Sequence, residues 1–135
     1  GPRWPMRAAV QTEHGVYEVD LEEGLVLELD EGARLDVASV ETGLPLVVAA
    51  VRSGATVIAV VERRPPLAIS NDACRTWREA GGGLPPGRSV AIADDDPDLV
   101  VYAARNRLYL SRDGGRFWTA LALELPEIEA VAWLP

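Results

Sequence analysis

The sequence predicts an all-β protein built from four-stranded antiparallel units, about three to the chain. Its apolar segments are short, rich in Val, Ala, Leu and Ile, and separated by Gly, Pro or Asp. That spacing suits strands joined by tight turns. The stretch with most helical character, "LEEGLVLELDEGARL", contains two glycines that weaken it as a helix. Finally, "LAISNDACRTWREA" (Leu67 to Ala80) returns 41 residues later as "LYLSRDGGRFWTAL" (Leu108 to Leu121). Ser70, Asp72, Thr76 and Trp77 thereby fall in register with Ser111, Asp113, Phe117 and Trp118.

In the first third, Arg7 to Gln11, Val16 to Val19 and Leu25 to Leu29 read as strands, with "EHG" and "LEEG" as turns. Leu35 to Val40 either extends the third strand or forms another. The middle third gives Pro45 to Val51, the turn "RSGA", Thr56 to Glu62, Leu67 to Ser70, the turn "NDAC" and Arg75 to Glu79. The last third repeats the scheme: Ser89 to Ala93, the acidic turn "DDDPD", Leu99 to Ala104, the turn Arg105-Asn106, Arg107 to Ser111, the turn "RDGG" and Arg116 to Leu121. Ile128 to Trp133 stands where a further unit would begin. The chain thus reads as one domain, 1–135, of three units: 6–43 completed by 127–134, then 44–86 and 87–126.

Composition narrows the function. The chain has 135 residues, 48% hydrophobic, and no apolar run near the roughly 20 residues of a membrane helix. No signal-peptide pattern is visible, which favours the cytoplasm. Gly1-Pro2 has the form of a tag-cleavage scar and is given no weight. Cys74 is the single cysteine, so no internal disulfide forms. A net charge of −8 argues against nucleic acid, whose binding rests on basic neutralisation. All thirteen basic residues are arginine, for which a GC-rich genome is the plain explanation.

The two aligned stretches resemble the Asp-box (BNR) repeat, Ser-x-Asp-x-Gly-x-Thr-Trp. Ser70 to Trp77 departs from it at Cys74, and Ser111 to Trp118 departs at Phe117. The upstream "DDDPDLVVYAA" is similar to the segment that often precedes the motif in that family. The resemblance covers Pro45 to Leu121 well and the first 43 residues poorly; there, "VDLEEGLVL" lacks the Ser, the Trp and a placed Asp. It implies a β-propeller, and the unit length agrees with blades of roughly 40 to 45 residues. It also implies structural roles for Ser70, Asp72, Thr76, Trp77, Ser111, Asp113, Gly115 and Trp118 at the blade periphery. The chemistry is suitable: Ser and Asp side chains bond turn backbone, glycine accepts positive φ, and Trp buries a broad face.

Propellers close with four to eight blades. Three blades leave two faces open, so the expectation is a homodimer forming one six-bladed ring, with Ile128 to Trp133 completing the partner's first unit. The competing readings are a fragment of a longer protein and a compact sandwich.

The same family includes sialidases, which use an arginine cluster, a tyrosine nucleophile and an aspartate. Tyr17, Tyr102 and Tyr109 match no such motif here, and Tyr102 and Tyr109 fall in strands. Asp94 to Asp98 is the densest carboxylate run but lacks calcium-loop spacing, and reads as a solvated turn. The lone His14 makes no zinc site, and Cys74 reads as an inert thiol. The favoured function is a non-catalytic propeller scaffold that binds a protein partner. No catalytic residue, cofactor, metal, nucleic acid or membrane is assigned. The alternative is a carbohydrate-binding or glycoside-cleaving propeller with its site at the channel mouth.

Overall fold

A computed structural model describes residues 6–135; Gly1 and Pro2 lie outside it. The described residues contain no helix and form strands β1 (Arg7–Thr12), β2 (Gly15–Asp20), β3 (Leu25–Glu31), β4 (Val47–Ser53), β5 (Thr56–Val61), β6 (Leu67–Ser70), β7 (Arg78–Ala80), β8 (Gly87–Ala93), β9 (Asp96–Ala104), β10 (Leu108–Ser111), β11 (Thr119–Ala120) and β12 (Ala130–Trp133). They make three four-stranded sheets: sheet 1 in the order β12-β1-β2-β3, sheet 2 as β4-β5-β6-β7, and sheet 3 as β8-β9-β10-β11. All pairings are antiparallel.

Strand period two sorts side chains to opposite faces, and both faces of sheet 3 are buried. Val90, Val100 and Tyr102 pack with Ile58, Val60, Leu67 and Ile69 of sheet 2. Ala91, Val101, Ala103, Leu108 and Leu110 pack on the other side with Ala8, Val10, Val19 and Val131 of sheet 1. Sheet 3 is therefore the middle layer of an arc, and sheets 1 and 2 are its ends.

Several expectations change. The closing strand comes from the same chain: β12 pairs with β1, placing Ala9 opposite Ala132 and Val10 opposite Val131. The partner is not needed for it, because residues 121–129 are long enough to return from β11 and are anchored by Leu125 N–H to Asn106 O and Ile128 N–H to Arg105 O. Leu35 to Val40 forms no strand. Gly32 (φ 75) turns the chain out of β3, and residues 33–46 instead cross from sheet 1 to sheet 2. Leu35 N–H donates to the buried Gln11 Oε1 at 2.6 Å, and Val40 N–H donates to Ala50 O. β9 starts at Asp96, inside the acidic run, so the turn is only Asp94-Asp95. β7 and β11 start later than expected because the residues before them give their N–H groups to aspartates.

The ends of the arc are not bare apolar faces. On sheet 2, Ala50, Ala59 and Val61 are covered by Val40 and Leu44 of the connector, together with Trp77. On sheet 1, the far face carries the ion pair of Glu18 and Arg7, and the outer strand β3 exposes Leu25, Val26 and Leu27.

Ile128 is fully buried where the C-terminal segment joins sheets 1 and 3. Ile128→Ala should cost about 3 kcal/mol in urea unfolding, as buried aliphatic truncations do. A loss below about 1 kcal/mol would mean the returning segment is not part of the cooperative core.

Candidate functional site

The two repeated turns have nearly superimposable chemistry. In the first, Ser70 Oγ donates to Asp72 Oδ1 at 2.8 Å and accepts Cys74 N–H at 2.9 Å. Asp72 Oδ1 accepts Thr76 N–H at 2.8 Å, and Oδ2 accepts the Thr76 hydroxyl at 2.6 Å. In the second, Ser111 Oγ donates to Asp113 Oδ1 and accepts Gly115 N–H, both at 2.8 Å. Asp113 Oδ1 then accepts the Arg116 and Phe117 N–H groups at 3.1 and 3.0 Å. Each aspartate satisfies backbone donors that no strand partner reaches.

The departures from the pattern have physical consequences. Phe117 supplies no hydroxyl and is 79% exposed. Thr76 does supply one, and that bond leads the causes that lower the Asp72 carboxyl from 3.8 to about 2. Asp113 is also lowered, chiefly by the Phe117 N–H. Ala73 and Cys74 adopt φ 58 and 72, where Gly114 and Gly115 adopt 72 and 92. The first turn thus places two side chains in a region that disfavours a β-carbon. At Gly115 a β-carbon would meet Ile69 Cδ1 at 2.8 Å, so close packing of the second turn on sheet 2 also requires glycine.

The tryptophans face different neighbours. Trp118 Nε1 donates to Gly115 O at 3.0 Å, and its ring meets Tyr102 edge-on at 6.1 Å between sheets 2 and 3. Trp77, its counterpart, packs on Ala50, Ala59 and Val61 at the open end of sheet 2. Ser70 and Ser111 are buried, Asp72, Asp113, Trp77 and Trp118 are half-buried, Gly115 is buried and Thr76 is exposed. These eight residues build two separate turns and do not converge on one pocket.

The concave regions lie elsewhere. The inner strands β4, β8 and β12 meet the connector around a cleft of about 310 Å³, lined by Asp36, Val37, Arg52, Asp94, Ala132 and Trp133 among others. A second cleft of about 540 Å³ runs between the repeated turns past Arg78, Asp98, Arg112 and Arg116. Neither is lined by tyrosine. Tyr102 is fully buried, donates to Pro85 O at 2.6 Å, and its hydroxyl is held well above the usual tyrosine range by burial first and Tyr109 second. That makes it a poor nucleophile. Tyr17 packs against the core of sheets 1 and 3 and also lines a third cleft, of about 350 Å³, with Glu18, Glu28 and Asp30. Asp94 to Asp98 is split between a turn and β9, Asp98 N–H bonding Asp96 Oδ1. His14 sits on the exposed β1–β2 turn, 3.6 Å from Glu13. No group of three or more His, Cys, Asp or Glu suited to a metal occurs among the described residues.

The sequence reading missed the inner-strand cleft, because its walls come from segments far apart in the chain. The one local signal was Trp133 at the end of a terminal strand. No family model matches the chain, and no curated protein matches it either.

Cys74→Gly should raise stability by about 1 kcal/mol by removing left-handed strain, whereas Gly115→Ala should lower it by at least about 1 kcal/mol. Denaturant midpoints measure both, and equal shifts in the two would contradict the strain assignment. Asp72, lowered in the folded state, contributes stability that is present above its unfolded value of 3.8 and is lost as pH falls through about 2. Carboxyl carbon shifts followed by NMR should show Asp72 titrating near 2; titration near 4 would remove the Thr76 bond from the account.

Proposed function

We propose that the chain is a non-catalytic Asp-box propeller scaffold, which pairs with a second copy into a six-bladed ring and offers that ring to a protein partner. The observation that carries this reading is the arc itself: three sheets side by side, with inner strands β4, β8 and β12 gathered at one cleft and an unshared sheet at each end. Repeat arrays bury each sheet between neighbours, and an arc of three has room for as many again. The dispersed placement of the motif aspartates and the burial of Tyr102 favour a scaffold over hydrolysis. The motif residues act as turn fasteners, setting where each outer strand resumes.

A carbohydrate-binding or glycoside-cleaving ring is the second reading. It is favoured by one feature: the inner-strand cleft combines the Trp133 ring with the Asp36 and Asp94 carboxylates and Arg52. An aromatic surface beside hydrogen-bonding acids is a sugar-compatible lining.

Light scattering at low ionic strength should give a mass near 29 kDa, twice the 14.5 kDa chain. A monodisperse species at 14.5 kDa would overturn the paired ring. On a glycan array the scaffold reading expects silence; hits lost in the Asp36→Asn, Asp94→Asn double variant would favour the second reading.

A further inference from the structure

Sheets 2 and 3 leave a fourth cleft, of about 450 Å³, beside the first residues of the inner strands β4 and β8. Val48, Val61 and Pro86 give it an apolar wall, and Arg63, Arg64 and Arg88 give it charge. Two of these side chains are placed by matching β-bulges. In the β4–β5 pair the register runs from Val47 opposite Val61 to Ala49 opposite Val60, so Val48 is the extra residue. In the β8–β9 pair it runs from Gly87 opposite Ala104 to Ser89 opposite Ala103, so Arg88 is the extra residue. A bulge breaks strand alternation and re-aims the side chain of the inserted residue. Here both inserted residues line one cleft, one supplying an aliphatic surface and the other a guanidinium. Gly87 has to be glycine there, because a β-carbon would collide with the Ala103 carbonyl oxygen and the Tyr102 phenol.

The loop that carries Arg63 and Arg64 is held at both ends. Glu62 N–H donates to Leu46 O at 3.0 Å, and Val61 N–H donates to Pro66 O at 2.8 Å. Leu46 itself sits at φ 60, a costly conformation for leucine, and is 60% exposed, while Val48 is 41% exposed. Arg63, Arg64 and Arg88 are all exposed, and none has a carboxylate within 4.0 Å among the described residues. Elsewhere Arg7, Arg34, Arg105 and Arg107 do find one. Glu62 is the one carboxylate in the lining. A chain of net charge −8 thus keeps three guanidiniums free beside exposed aliphatic surface.

We propose that this cleft is a docking groove for a short acidic peptide segment of the partner protein. Its carboxylates pair with the Arg63, Arg64 and Arg88 forks, and an aliphatic side chain between them packs on Val48, Val61 and Pro86. This rests on the reading of the chain as a protein-binding scaffold and names the partner's chemistry; the cleft lies within one chain and needs no ring. A short segment suits the electrostatics better than a nucleic acid or an anionic membrane. Those extended polyanions bind broad basic surfaces, and here they would also meet the acids that make the chain net negative. The held loop and the two bulges reduce the ordering cost of binding.

The test titrates the full-length chain into a fluorescein-labelled peptide of Glu with interspersed Leu and reads anisotropy. Binding at low salt should weaken about tenfold or more in Arg63→Gln with Arg64→Gln, and similarly in Arg88→Gln. Arg75→Gln, which changes an exposed arginine outside the cleft, should leave it unchanged. All three variants alter exposed side chains and should keep wild-type circular dichroism. No binding to the wild type, or equal weakening by Arg75→Gln and Arg88→Gln, would overturn the groove and leave the scaffold reading standing. Undiminished binding of the same peptide with Ser in place of Leu would overturn the aliphatic contact. Phosphatidylserine vesicles or single-stranded DNA that bind through these arginines while the peptide does not would overturn the peptide in favour of that polyanion. Failure of the scaffold reading shows separately, as glycan hits lost in the Asp36→Asn, Asp94→Asn double variant.

Discussion

Pairing of β12 with β1 is the constraint on which the rest of the molecule depends. It ties residue 133 to residue 8, almost the whole chain apart, and it converts three strands and a tail into a sheet that can cover one face of sheet 3. Ala91, Val101, Ala103, Leu108 and Leu110 would otherwise face water. The entropy of closing so long a loop grows only slowly with its length, whereas the buried apolar area gained is that of a whole sheet face. Val131 N–H to Ser89 Oγ and the Trp133 indole to Ala91 O then fix the tail to the inner strand of sheet 3. Gln11 joins three segments at the same place, bonding Leu35 N–H through its oxygen and Glu129 through its amide nitrogen.

The repeated turns solve a local problem in the same architecture. An outer strand must end and another begin within a few residues, leaving backbone N–H groups without ladder partners. A serine hydroxyl and an aspartate carboxylate take them up at both places, with donor distances that agree to a few tenths of an ångström. The copies differ where the environment differs. Gly115 lies against Ile69, whose side chain would have to shift to admit a β-carbon, while Cys74 occupies the matching position of the first turn. Trp118 is wedged between sheets, and Trp77 packs on the end face of sheet 2.

The two ends of the arc are finished in different ways. One end is covered by residues 33–46, whose Val40 and Leu44 lie over alanines and a valine. The other presents the Glu18, Glu28 and Asp30 carboxylates together with Leu25, which is 56% exposed.

How much of this was legible beforehand follows from the range of each interaction. Strand positions came through within a few residues, because alternation and the Gly, Asp and Pro punctuation are local. The turns came through because Ser, Asp and Trp recur at a fixed spacing, although the late starts of β7 and β11 needed the knowledge that Asp72 and Asp113 would take the Thr76 and Phe117 N–H groups. By itself, the sequence determined an all-β chain of three four-stranded units with a terminal strand in search of a sheet. Only the tertiary structure decided that the strand returns to its own chain, that Leu35 to Val40 serves as a cover and not a strand, and that Asp36, Asp94 and Trp133 share a cleft. Those outcomes depend on contacts between residues distant in sequence, whose strength is set by burial and geometry that no local pattern records.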